Sequence, residues 1–288
     1  MRCKYREKIY RCGEYLEVDV FPVYAKATGR RKAKYKPTSA MQERLNQKNA
    51  ERALIRILNA NFTASDISLT LTYSDKYFPE NYEDAERDVK NFLRRIKRLR
   101  QKLNLPEMKY VLIPGEGRYH FHIPMSGGID DKAIQAMWPY GYANATHLDF
   151  NENGIEGLAR YIATQFEGDN YGGGDLLSLL DINEETGEVT EKRKKGRRRY
   201  SCSKNIVRPE PEEREGRISA SRVEELANVS NSSAPVFEKL YPGYCFVSCQ
   251  PYYNSENGGY YLQVKMYKTD ASWLKRNSRY KARRRSNT

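Results

Sequence analysis

A chain of 288 residues with 50 lysines and arginines against 37 acidic residues has a formal charge of +13, which suits a polyanion, either nucleic acid or an anionic membrane surface. No apolar run approaches a membrane-spanning length, and the charged start Met1-Arg-Cys-Lys-Tyr-Arg6 has no secretory apolar stretch, so the expectation is a soluble, cytoplasmic protein. The five cysteines, Cys3, Cys12, Cys202, Cys245 and Cys249, form no CxxC pair and no zinc-ligand set, which leaves reduced structural thiols.

In chain order, Tyr15 to Phe21 alternates as a strand and is followed by the basic stretch Gly29-Arg-Arg-Lys32. A helix capped by Ser39 comes next, with Leu45, Leu54, Ile57 and Leu58 facing a core. Ile67-Ser-Leu-Thr-Leu-Thr-Tyr73 alternates strictly and predicts a strand closed by Ser74-Asp75. Tyr82 to Leu103 predicts an amphipathic helix, with Ala85, Val89, Phe92, Leu93, Ile96 and Leu99 on one side. Its remaining surface holds Lys90, Arg94, Arg95, Lys97, Arg98 and Arg100, a basic face that is either solvated or set against phosphates. Pro106 helps to end this helix. Lys109 to Ile113 and Tyr119 to Met125 read as a hairpin about Pro114-Gly-Glu-Gly117. A short helix over Ile129 to Trp138 and a strand over Tyr142 to Phe150 follow. Ile155, Leu158, Ala159, Ile162 and Phe166 then recur at helical spacing.

His120 and His122 are two of only three histidines. In an extended strand they share one face, while Tyr119, Phe121, Ile123 and Met125 present an apolar one. Two imidazoles so held are half of a metal site; a strand whose histidines face water is the alternative. Glu116, at the turn, either bends back to such a metal or stays exposed. His147 either joins the cluster or stays on the surface of its own strand. Tyr161 and Gln165, four apart, share a strip at the edge of their helix's apolar stripe, where a tyrosine is otherwise a packing residue with a solvated hydroxyl.

The order strand, helix, strand, strand, helix, strand predicts an α+β fold, a ferredoxin-like split βαβ antiparallel sheet with helices on one face and the other free for a site. The expected organisation is an N-terminal extension over 1–62, a core over 63–168, a basic flexible insertion over 169–210 and a C-terminal α/β extension over 211–288. The insertion includes an acidic stretch and then Lys192-Arg-Lys-Lys-Gly-Arg-Arg-Arg199, in which Arg197, Arg198 and Arg199 suit phosphate contacts. Ser221-Arg-Val-Glu224 fits a capping box at a late helix. The tyrosines of the strands near Tyr244 to Cys249 and Tyr260 to Tyr267 either pack or stack on unpaired bases. The chain closes on a basic tail from Lys275 to Arg285.

Five stretches together resemble the HUH endonucleases, the rolling-circle replication initiators (replication-associated proteins) of phages and mobile elements: Thr70-Leu-Thr-Tyr73, Gly117-Arg-Tyr-His-Phe-His122, Trp138-Pro-Tyr-Gly141, Ala159-Arg-Tyr-Ile162 and Arg199-Tyr-Ser-Cys-Ser-Lys-Asn205. The likeness extends over most of the chain, but its chemistry rests on two short motifs. It implies a metal-dependent single-strand DNA endonuclease and strand transferase in which His120 and His122 hold Mg²⁺ or Mn²⁺ and Tyr161 forms a 5′-phosphotyrosine intermediate. By likeness to single-tyrosine transposases, Gln165 is the third metal ligand, with Glu116 second. Relatives carry a lysine where this chain has Thr164, a departure that bears on nicking itself; Lys204 or Arg118 is the replacement charge. The implied partners are single-stranded origin DNA and, as no Gly-x-x-x-x-Gly-Lys-Ser/Thr loop occurs, a host helicase and polymerase. Two other readings stay open: an origin-binding regulator that does not cut, and a basic RNA-binding protein.

Overall fold

The computed structural model describes residues 4–24, 39–115, 118–155, 157–158, 180–182, 189–191, 200–228, 233–254 and 259–275. In chain order the elements are β1 (Lys4–Cys12), β2 (Tyr15–Val23), α1 (Ser39–Asn61), β3 (Ile67–Thr72), α2 (Tyr82–Lys102), β4 (Val111–Pro114), β5 (His120–Met125), α3 (Asp131–Ala136) and β6 (Ala143–His147). Then come β7 (Leu180–Ile182), β8 (Val189–Glu191), β9 (Ser201–Cys202), β10 (Glu212–Glu215), α4 (Ala220–Asn228), α5 (Ser233–Leu240), β11 (Tyr244–Asn254) and β12 (Gly259–Lys268). They fall into two compact units: a central one of Ala64–Leu148 and Leu158–Ile206, and a flanking one of Met1–Thr63, Asp149–Gly157 and Val207–Thr288. Among the described residues no helix is long and apolar enough to cross a membrane.

The central unit has an antiparallel sheet in the order β6-β3-β5-β4-β9. Its first four strands have the ferredoxin-like order, so the fold is the expected α+β class with helices on one face. Ile67, Leu69 and Leu71 of β3 and Phe121, Ile123 and Met125 of β5 lie on that face, packed on Ala85, Val89, Phe92 and Ile96 of α2 and Ile134 of α3. Asn81 caps α2 by accepting a hydrogen bond from the Asp84 N–H at 2.9 Å. Asp130 caps α3 through the Lys132 and Ala133 N–H groups.

Arg100 departs from the basic face that the sequence suggested. It is buried, and its guanidinium donates to the carbonyls of Pro106 (3.1 Å), Ser126 (3.2 Å) and Gly127 (2.6 Å). These bonds tie the end of α2 to the loop after β5. Part of the expected insertion is also structured: β7 and β8 pair antiparallel, and β9 extends the central sheet at β4, with Ser203 Oγ accepting from Tyr110 N–H at 3.1 Å.

The flanking unit joins the two extensions read from the sequence in one sheet, in the order β10-β1-β2-β12-β11. Val18 of β2 lies opposite Val264 of β12. Leu16, Val18, Val20, Leu262, Val264 and Met266 form an apolar face covered by Val223 and Leu226 of α4 and Phe237 of α5. On the opposite face Arg52 and Arg56 of α1 pair with Glu17 and Asp19 of β2. The cap of α4 is Ser219, whose Oγ accepts from Arg222 N–H at 3.3 Å, instead of the expected Ser221 box: the helix starts two residues earlier.

Candidate functional site

The register of the central sheet decides which side chains share a face. Ile67, Leu69 and Leu71 point into the core, so Ser68, Thr70 and Thr72 point the other way. Thr72 lies opposite His120, and Thr70 opposite His122 on one side and Asn144 on the other. His120 and His122 therefore stand on the helix-free face in the middle of the sheet. His147 lies opposite Ile67, on the other face, and is exposed, so it does not join the pair.

The two imidazoles lie 5.0 Å apart, centre to centre, with perpendicular planes. His120 Nδ1 is 2.8 Å from the Arg118 carbonyl oxygen; a carbonyl only accepts, so Nδ1 carries the proton and the Nε2 lone pair is left for a metal. His122 is 4 % exposed, with Nδ1 3.3 Å from Thr70 Oγ1. Ile113 lies directly opposite it on β4, itself fully buried. Burial, and then the neighbouring His120, lower the His122 pKa to about 4, so the ring is neutral near pH 7. A neutral imidazole is the form that binds metal.

Gly115 makes room for this arrangement. A Cβ there would fall 2.0 Å from His120 Nε2 and 2.2 Å from Cε1, inside the ring's van der Waals surface. The Gly115 N–H also donates to the His120 carbonyl at 2.8 Å, closing the hairpin. From the sequence this glycine reads only as part of a turn; its spacing five residues before His120 is the sole signal for the closer role.

Trp138-Pro-Tyr-Gly141 braces the end of β3. Trp138 Nε1–H donates to the Thr72 carbonyl at 2.8 Å, and the Thr72 and Ser74 N–H groups donate to Tyr142 and Tyr140 carbonyls, each at 2.9 Å. Gly141 is needed there because a Cβ would lie 2.2 Å from Thr72 O. Trp138 packs against Tyr73, Phe92 and Tyr140. Tyr73 is unsuited to attack: its hydroxyl donates to Ala85 O at 3.2 Å, and burial raises its pKa.

Arg118 has two jobs. Its carbonyl orients His120, while its guanidinium lies over the Phe78 ring at 4.9 Å and bonds Tyr73 O (3.1 Å) and Asp75 (2.6 Å). Lys204 is exposed on the segment after β9. Glu116, Tyr161, Thr164, Gln165, Arg197, Arg198 and Arg199 lie outside the described residues, as do the Gly29 to Lys32 stretch and the tail beyond Lys275. Among the described residues no group of three His, Cys, Asp or Glu side chains could hold a metal, so the histidine pair is the part of the ligand set in view.

Residues 66–166, about a third of the chain, match the family model of the ORF2-type replication-associated protein. The match begins just before β3 and contains His120, His122, Tyr161 and Gln165. It supports a replication-initiator role. No curated protein and no solved structure matches the chain.

Proposed function

We propose that this protein initiates rolling-circle replication by nicking single-stranded DNA at an origin and later rejoining it. The observation that carries the reading is the His120–His122 pair, side by side on the helix-free face, with one lone pair fixed by the Arg118 carbonyl, inside the segment that matches the replication family. Two neutral imidazoles fit a divalent cation as a partial donor set. Mg²⁺ or Mn²⁺ held by His120 and His122, with Gln165 or Glu116 as third protein ligand, would supply positive charge beside the scissile phosphate.

Tyr161 is the nucleophile. Its phenolic oxygen bonds to phosphorus as the bond from phosphorus to the 3′ oxygen breaks, and the departing oxygen takes up a proton to become a free 3′-hydroxyl. The strand's 5′ end stays on the enzyme as a phosphotyrosine, which preserves the phosphodiester's energy. A second 3′-hydroxyl then attacks the phosphotyrosine and regenerates Tyr161 while closing the DNA. Arg118 and Lys204 offer the charge that relatives place at the position of Thr164, and Arg197, Arg198 and Arg199 clamp phosphates without reading sequence. Unwinding and synthesis fall to the host's helicase and polymerase.

A single-strand nicking assay on origin DNA with Mn²⁺ tests this through Gly115→Ala, which removes no ligand but puts a methyl where the His120 ring stands. Nicking should fall by at least tenfold while DNA binding in EDTA is retained. Equal nicking by the variant and the unaltered protein would contradict a role for His120 in the reaction. Origin binding without nicking by the unaltered protein would favour the non-cutting regulator.

A further inference from the structure

Tyr142 is the most exposed of the large apolar side chains, with 72 % of its surface open. Single exposed tyrosines are common and need no explanation by themselves. Two further observations set this one apart. The first is its backbone, which is held far more firmly than an exposed residue requires. Its carbonyl accepts from Thr72 N–H (2.9 Å) and Thr72 Oγ1 (3.4 Å). The preceding Gly141 sits where a Cβ would collide with Thr72 O and Ser74 N, and Tyr140 accepts from both Ser74 N–H and Ser74 Oγ. No aromatic ring packs on Tyr142 among the described residues, so this bracing fixes where an unsatisfied ring is presented.

The second is the face. Asn144 lies opposite Thr70, and side chains alternate, so Tyr142 projects on the same side as Asn144, Thr70 and Thr72. That is the side of His120 and His122. Tyr142, Thr72 and His120 form one row across β6, β3 and β5; with strands about 4.8 Å apart, the ends of the row are about 10 Å apart, a span that one or two nucleotides cover. Between them Thr72, Thr70 and Asn144 give a shallow polar floor, too small to block a backbone lying across it.

We propose that Tyr142 is a base-stacking residue that seats an unpaired nucleotide next to the scissile phosphate and so sets which phosphate reaches the histidines. This rests on the nicking reading for the word scissile, but the stacking itself does not require cleavage. A tyrosine's face accepts any base, so the contact fixes position more than sequence. The +13 charge of the chain brings the strand in, and the ring then holds it in register.

Tyr142→Trp tests this directly, because the native tryptophans Trp138 and Trp273 are buried at 2 % and 4 % exposure and the new indole would be the solvent-exposed one. Titration with oligothymidine in EDTA should quench the exposed-indole emission, with affinity retained. Tyr142→Ala should bind roughly five- to a hundredfold more weakly, with an unchanged thermal melt. An indole that stays unquenched at saturating DNA, or an alanine variant of undiminished affinity, would overturn the proposal. Quenching in a protein that never nicks would overturn only the nuclease reading; nicking without quenching would overturn only this one.

Discussion

His122 shows how a side chain is prepared for its task by its surroundings. Its ring is buried beside Ile113, and its pKa falls from 6.5 to about 4 because burial penalises the charged form, with His120 adding a second unfavourable charge. In the unfolded chain the same ring titrates near 6.5, so between pH 6.5 and 4 the unfolded state binds more protons. Stability is therefore fully present above about pH 6.5 and declines as pH falls toward 4, by roughly 3 kcal/mol from this group. Urea melts in EDTA at a series of pH values check it: His122→Gln should flatten the loss across that window. An unchanged pH slope in the variant would show that His122 is not the group responsible. The alternation of Tyr119 to Met125 makes the pairing of the histidines legible in the sequence. The Arg118 carbonyl and the space at Gly115 are not, because backbone approach leaves no residue-type signature.

Among the elements, β3, α2, β5 and β6 are readable because each carries its own period: alternation in the strands, a 3.6-residue stripe in the helix. β1 hides because Glu7 interrupts its apolar face between Tyr5 and Ile9; the structure buries it with Tyr241 OH at 3.0 Å and Arg217 at 3.5 Å. β10 hides more completely. Glu212-Glu-Arg-Glu215 reads as a loop, and it becomes an edge strand where Arg6 and Lys8 of β1 meet Glu213 and Glu215. Arg100 is the opposite case, a helical arginine whose spacing looked solvated and whose partners are carbonyls. Arg100→Met keeps the stem but leaves buried carbonyls without their donor, and should cost about 2–4 kcal/mol in chemical denaturation. A loss below about 0.5 kcal/mol would mean that the three bonds contribute little.

At the scale of the whole molecule, the central unit places the histidines and the family match on one sheet, whereas the flanking unit is assembled from both ends of the chain. Such a pairing, Val18 with Val264, has no local signal, so the sequence suggests two extensions where one sheet forms. Within that flanking sheet, Glu17 is held below the usual carboxylate range: burial alone would raise it, but Arg56 and Arg52 outweigh burial. Charged contacts of this kind anchor α1 to β2 and leave the chemistry to the other unit. The account as a whole turns on the residue that attacks DNA. Tandem mass spectrometry of the protein after reaction with origin single strand and Mn²⁺, followed by nuclease digestion, locates any nucleotide left on the chain. A nucleotide linked through phosphate to Tyr161 is the predicted result; a nucleotide on another residue, or none while the DNA is cut, would contradict it.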